Sequence, residues 1–130
     1  NVRCDFPGGF AGDKHNAFTA EGRTKAENAM FNWLSKLLKW RRNNMVITKG
    51  KQIQFIPYKG VYVIARQWND QTILTILNGT SQPVTLPLDR YAEVIGNHQE
   101  AKDVISGRKV KLGSELQLKA RDTKVIELSM

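Results

Sequence analysis

Twelve carboxylates, two histidines and a single cysteine are the side chains of this 130-residue chain best suited to acid–base, nucleophilic or metal chemistry. Their spacing matches no arrangement that performs it. There is no nucleophile elbow, phosphate loop, dinucleotide fingerprint or metal motif. Gly8, Gly9 and Gly12 do not make a dinucleotide loop, because no strand precedes them and the spacing is wrong. Cys4 is the lone cysteine, which excludes an internal disulfide and a cysteine-rich zinc site. No histidine is fixed near it in sequence, so it reads as incidental rather than as a nucleophile. His15 and His98 lie far apart. Acetal hydrolysis by paired carboxylates needs two carboxyl groups about 5–5.5 Å apart. Nothing in the sequence pairs Asp5, Asp13, Glu21 or Glu27, and most later carboxylates sit at turns or alternate with Lys and Arg. We therefore expect no catalytic residue, no metal ligand and no cofactor in this chain. Asn78-Gly79-Thr80 matches the glycosylation acceptor pattern, but an Asn-Gly hairpin turn explains the first two residues without sugar.

The net charge is +8 and the pI about 9.8. The surplus is seven charges in residues 1–60 and one in residues 61–130. Lys36, Lys39, Arg41, Arg42, Lys49 and Lys51 form its densest part. Two readings compete: cations complementing a helix C-terminus, or a phosphate-binding patch. The first is favoured, because no aromatic-rich strand or basic recognition helix of known spacing accompanies them. No nucleic-acid partner is expected. No apolar run approaches the ~20 residues of a membrane span, so no membrane partner is expected either.

The elements that would position any site divide the chain in two. Residues 1–22 hold four glycines and a proline without helical or strand period, and read as a long loop anchored by Asn16-Ala17-Phe18-Thr19. Thr24-Lys25-Ala26-Glu27 fits a capping box. The helix it opens shows Met30, Trp33, Leu34, Leu37 and Leu38 at i, i+3, i+4, i+7 and i+8. Phe31 and Trp40 widen that face, and Arg41-Arg42-Asn43-Asn44 ends the helix with cations and asparagines that tolerate left-handed backbone. So wide an apolar face is expected to be buried, with Trp33 and Trp40 as core.

From Val46 the period becomes that of strands. Ile53 and Phe55 point inward in the first. Val61 and Val63 oppose Tyr62 and Ile64 in the second. Thr72 to Leu77 is β-branched. Val84–Leu88, Tyr91–Ile95, Ala101–Ile105, Lys109–Leu112, Glu115–Leu118 and Thr123–Leu128 follow. Short strands at this spacing predict an antiparallel β-sandwich of seven or eight strands. The division is residues 1–45, loop plus helix, and 46–130, the sandwich. A loop and helix feeding a β-domain, in a chain beginning at Asn1, read as the closing part of something larger.

Arg3-Cys4-Asp5-Phe6-Pro7-Gly8-Gly9-Phe10, Asn16-Ala17-Phe18 and Gly22-Arg23-Thr24 resemble the segment after the eighth barrel strand of bacterial neopullulanases and cyclomaltodextrinases, of the α-amylase superfamily (glycoside hydrolase family thirteen). Phe31-Asn32-Trp33-Leu34 to Trp40-Arg41-Arg42 resembles the last helix of that (β/α)8 barrel. Gly50-Lys51, Phe55-Ile56-Pro57 and Val61 to Arg66 resemble the opening strands of the C-terminal sandwich, and Asn78 fits the end of the third. The resemblance implies a parent that hydrolyses α-1,4-glucosidic bonds in starch-derived oligosaccharides, cyclodextrins or pullulan. Its mechanism would be retaining, with an Asp nucleophile and a Glu acid lying upstream of this segment. It implies that Arg3, Asp5 and Phe6 shape the substrate cleft, or that their loop only braces the barrel. The implied partners are the rest of the barrel and an α-glucan through the parent; in the chain alone, the apolar helix face is expected either to fold onto the sandwich or to join a second copy. The implied location is bacterial periplasm or cytoplasm. Two other classes stay open. One is a carbohydrate-binding module using Tyr58, Tyr62, Trp68 and Tyr91. The other is a nucleic-acid-binding module using the basic helix.

Overall fold

The computed structural model describes residues 3–128. The chain forms two compact units, residues 1–39 and 40–130.

The first unit is the loop and most of helix α1 (Lys25–Arg42). The helix starts where the sequence says it should. The Thr24 N–H donates to Glu27 Oε2 at 2.9 Å, and the Glu27 N–H donates to Thr24 Oγ1 at 3.2 Å. This reciprocal pair satisfies two of the donors a helix start leaves open. The expected burial of its apolar face is not met. No residue of α1 is buried, and Trp33, Met30, Phe31, Leu34 and Leu38 are all exposed. Trp33 is therefore not core.

The second unit is an antiparallel β-sandwich. Its larger sheet has six strands in the order β1-β2-β3-β8-β5-β6, and its smaller sheet pairs β4 with β7. The strands are β1 (Lys51–Gln54), β2 (Val61–Trp68), β3 (Gln71–Asn78), β4 (Val84–Pro87), β5 (Glu100–Asp103), β6 (Lys109–Lys111), β7 (Glu115–Leu118) and β8 (Thr123–Leu128). Alternation assigns the faces. Val61, Val63 and Ala65 of β2, Leu74 and Ile76 of β3, and Ile126 of β8 meet Leu86, Leu116 and Leu118 of the small sheet. Burying each such Val, Leu or Ile side chain contributes about 1.5–3 kcal/mol.

Three local readings are corrected. Tyr91–Ile95 is not a strand. Asp89–Tyr91 is a 3-10 turn that runs into α3 (Ala92–Ile95), and Tyr91, Val94 and Ile95 are buried at helical spacing. The chain does not turn β directly at Val46, because Met45–Lys49 is a short helix, α2. Asn44 is its N-cap in extended rather than left-handed backbone, with its Oδ1 accepting from the Val46 and Ile47 N–H groups. Asn78-Gly79 is not a hairpin, since β3 pairs with β2 and β8 while β4 belongs to the other sheet. The tight turns are Lys59-Gly60 and Asn69-Asp70, each with two residues at positive φ. Two left-handed residues match the right-handed strand twist, as a two-residue hairpin requires.

The outer face of the large sheet has its own cover. Helix α2 packs against β2 and β3, burying Val46, and Ile73 is buried on the β3 face opposite Leu74. The Arg66 guanidinium donates to the Ile47 and Gly50 carbonyls at the end of α2. The Trp40 indole N–H donates to Glu127 Oε1 on β8 at 2.7 Å, and Asn44 Nδ2 reaches the same oxygen at 3.4 Å. Glu127 thus ties the last turn of α1 and the cap of α2 to the sheet. A hydrogen bond to a charged group contributes about 1.5–3 kcal/mol. Replacing Glu127 by Ala should lower stability in urea unfolding by roughly 1.5–3 kcal/mol. An unchanged urea midpoint would mean that this carboxylate holds nothing.

Candidate functional site

Two glycines let the loop of the first unit fold back on itself. A Cβ on Gly8 would lie 2.3 Å from Asn16 Oδ1, and Gly8 has φ +107°. A Cβ on Gly22 would lie 1.9 Å from the Asn16 carbonyl oxygen. The Ala17 N–H donates to the Pro7 carbonyl at 2.9 Å, and Ala17 is the buried anchor of the loop. Asp13 gathers the Gly8 and Phe10 N–H groups at 2.8 and 3.0 Å. Those backbone donors, Phe10 first and Gly8 next, hold its carboxyl below the usual aspartate range.

Two contacts join loop to helix. His15 Nε2 lies 2.9 and 3.0 Å from the two oxygens of Glu27. The Thr24 N–H and then His15 hold the Glu27 carboxyl below its ordinary value. Arg23 Nε donates to Asn28 Oδ1 at 2.8 Å and Nη1 to the Ala17 carbonyl at 3.1 Å, while its guanidinium lies over the Phe31 ring at 4.0 Å. Such a cation–ring contact contributes about 0.5–1 kcal/mol at an exposed site.

Of the three residues named from the sequence, Phe6 alone is drawn into this assembly. Its ring meets Phe18 edge-on at 4.7 Å. With Phe18, Met30, Phe31 and Leu34 it lines an open, largely apolar groove of about 530 Å³. Arg3 and Asp5 are exposed nearby in the chain. Phe18, Arg23 and Phe31 join the groove without being among the residues that the sequence singles out. The signal that could have found them is the density of aromatic residues on both sides of a Gly-rich loop, with one arginine between. The groove offers apolar and stacking surface and one guanidinium. Among the described residues, no group of three or more His, Cys, Asp or Glu could hold a metal ion.

The four aromatic residues of a carbohydrate-binding platform do not form one exposed surface: Trp68, half-buried at the end of β2, shares a face with Tyr62 six residues away, but the other two lie elsewhere. Tyr91 is in the core, 1% exposed, with its ring edge-on to Phe55 at 4.9 Å. Tyr58 is half-buried against that core beneath Arg90 and Lys59. Tyr62 is 52% exposed, and it points to the opposite face of β2 from Val61 and Val63. No helix is long and apolar enough to cross a membrane among the described residues.

Comparison with known proteins gives these observations a context. The sequence model of the cyclo-malto-dextrinase C-terminal domain matches residues 52–127. The fold recurs in solved structures. An α-amylase from Geobacillus thermoleovorans, solved with acarbose, is 21% identical with a TM-score of 0.69, covering 83% of this chain and 24% of that one. AmyP, solved with maltose, is 14% identical with a TM-score of 0.67, covering 80% and 21%. A trehalulose synthase from Pseudomonas mesoacidophila is 17% identical with a TM-score of 0.64, covering 88% and 20%. The chain thus spans about a fifth to a quarter of the length of these proteins.

The cap at Glu27 makes the helix start sensitive to acid. A carboxyl held below its ordinary value stabilises the folded form at pH above that value, and the benefit is lost as pH falls through the lowered one. Far-UV circular dichroism should therefore show helix loss beginning below about pH 4.5, the ordinary glutamate value. Glu27→Gln keeps the cap geometry and removes its titration. It should flatten that part of the profile, leaving the share due to Asp13. An identical acid profile in both chains would contradict the assignment.

Proposed function

We propose, from the premise that this chain belongs to the cyclo-malto-dextrinase C-terminal domain family of the α-amylase class, that it is part of a glycoside hydrolase cutting α-1,4-glucosidic bonds of starch-derived glucans. The observation that carries this reading is the family match, which runs through nearly the whole sandwich. In this proposal residues 46–130 are the domain that follows the catalytic barrel. Residues 1–45 are the end of that barrel, its last loop and helix. The sandwich has no catalytic part. It buries its own core and holds the end of α1 through Trp40 and Glu127.

The loop then has a defined task. Phe6 stands on Phe18 at the rim of an apolar groove, and Arg3 and Asp5 are exposed beside it in the chain. An aromatic ring next to charged hydrogen-bonding groups suits a glucose ring, which has apolar faces and a polar edge. We assign Arg3, Asp5 and Phe6 to the wall of the substrate cleft, with the reacting carboxylates supplied from elsewhere in the enzyme. The apolar face of α1 is the surface on which the rest of the barrel rests. Pullulan, cyclodextrins and maltooligosaccharides are the substrate class.

Reducing-sugar release from pullulan, β-cyclodextrin and soluble starch tests the proposal, comparing this chain with a version extended upstream of residue 1. Activity in the longer protein alone is expected. In that protein Phe6→Ala should raise KM more than it lowers kcat, because it removes a binding surface. Activity in neither protein would count against the α-glucan reading, and activity in this chain by itself would overturn the claim that it lacks the catalytic groups.

A further inference from the structure

Asn78-Gly79 is the one Asn-Gly pair in the sequence, and the fold does not use it as a turn. Asn78 is 3% exposed at the end of β3. Its Nδ2 donates to the Gln82 carbonyl at 2.8 Å and to the Lys119 carbonyl at 2.9 Å. Its Oδ1 accepts from the Thr80 N–H at 3.0 Å and from the Thr80 hydroxyl at 2.7 Å. The backbone on both sides is also engaged. The Asn78 N–H donates to the Asp122 carbonyl at 2.8 Å, and the Gly79 N–H donates to the Gly60 carbonyl at 3.0 Å. The Asn78 amide therefore joins the loop after β3 to the β7–β8 connection, and the Gly79 N–H adds the Lys59-Gly60 turn.

Asn-Gly is also the pair most open to a spontaneous backbone reaction, because glycine puts no side chain in the way. The Gly79 nitrogen loses its proton and attacks Cγ of Asn78. The Cγ–Nδ2 bond breaks, ammonia leaves, and a five-membered imide forms. Water then opens either carbonyl of the ring, giving aspartate or isoaspartate, with no oxidant or other co-reactant. In the native fold both partners are held away from this path. The Gly79 N–H is committed to Gly60, and four hydrogen bonds keep the Asn78 amide from rotating toward it.

We propose that Asn78-Gly79 is a latent self-modification site, inert in the folded sandwich, which converts on opening of this loop and then prevents the sandwich from closing again. The one-way character follows from donor count. The native node needs an amide, whose two N–H groups satisfy two carbonyl oxygens. Aspartate and isoaspartate present acceptors there instead, so the Gln82 and Lys119 carbonyls face a carboxylate in a buried position. Isoaspartate also lengthens the main chain by one methylene at the end of a central strand. The same geometry argues against sugar at Asn78-Gly79-Thr80, because Nδ2 is the atom a glycan would need.

Peptide mapping by mass spectrometry, after incubation at mildly alkaline pH with and without an unfolding concentration of urea, tests the first half. Conversion at Asn78 should be at least about tenfold slower in the folded chain, since it must wait for local opening. Asn78 should also be the first asparagine to convert in urea. Equal rates in the two conditions would overturn the proposal. The second half is tested by repeated heating and cooling of this chain beside Gly79→Ala. A Cβ there meets only the Gly60 carbonyl oxygen at 3.4 Å and φ is not positive, so the variant should fold, while its unfolded form cyclises more slowly. The native chain should lose refoldable protein in step with isoaspartate at residue 78, and Gly79→Ala should retain it. Equal losses in both chains, or isoaspartate-bearing chains that refold with an unchanged melting temperature, would sink the claim.

Discussion

Strands β2 and β3 carry apolar residues on both of their faces, and the remainder of the second unit is arranged around that constraint. On one face stand Val61, Val63, Ala65, Leu74 and Ile76, and on the other the buried Ile73. A strand with one apolar face can leave the other in water, but Ile73 requires a cover on the second face as well. The inner face is covered by the small sheet and by the Asp89–Ile95 segment, through Leu86, Tyr91, Val94, Leu116 and Leu118. Helix α2 covers the part of the outer face around Ile73, while Tyr62 and Leu77 farther along the strands stay exposed. Each cover is fixed by polar contacts at its ends. Arg66 closes the end of α2 and Glu127 holds Trp40 and Asn44. The Asn78 amide fixes the loops at the far end of β3.

The first unit follows a different logic. Its loop is held by backbone donors on Asp13, by His15 reaching Glu27 and by Arg23 joining Asn28 of the helix to the Ala17 carbonyl, so it is ordered mainly by polar contacts. An isolated helix shorter than about 12–15 residues is marginal in water, and longer ones still draw most of their stability from packing. Helix α1 is 18 residues long with none buried. Its exposed Met30, Phe31, Leu34 and Leu38 represent burial that this chain does not realise. A contiguous apolar surface of this kind on a soluble protein marks a place where another surface belongs. In our proposal that surface is the rest of a catalytic barrel.

Much of this was legible in the sequence, for reasons that differ by element. The apolar, β-branched run from Val61, bounded by Gly60 and Asn69-Asp70, marks β2, and the pleat then sets Val61 and Val63 opposite Tyr62 and Ile64. The Thr24 and Glu27 pair marked the helix start, since a capping box is local chemistry. What failed was decided by tertiary context. Tyr91, Val94 and Ile95 span too few residues for periodicity to separate strand from helix. The five residues of α2 are shorter than any useful window. Asn78-Gly79 carries a strong turn signal, yet no hairpin forms there, because after β3 the chain crosses to the other sheet. In the candidate site the family resemblance points to Phe6, whereas the aromatic density around the Gly-rich loop only hints at Phe18, Arg23 and Phe31. Their meeting depends on the loop folding back at Gly8 and Gly22.

In the proposed reading the sandwich is self-sufficient, while the face of α1 awaits a surface outside this chain. Amide hydrogen exchange, read peptide by peptide in this chain and in a version extended upstream, tests it most directly. Strands β2, β3 and β8 should be equally protected in both. Helix α1 and the loop before it should exchange fast in this chain and become protected in the longer protein. Strong protection of α1 in this chain alone, unchanged by the upstream residues, would contradict the account.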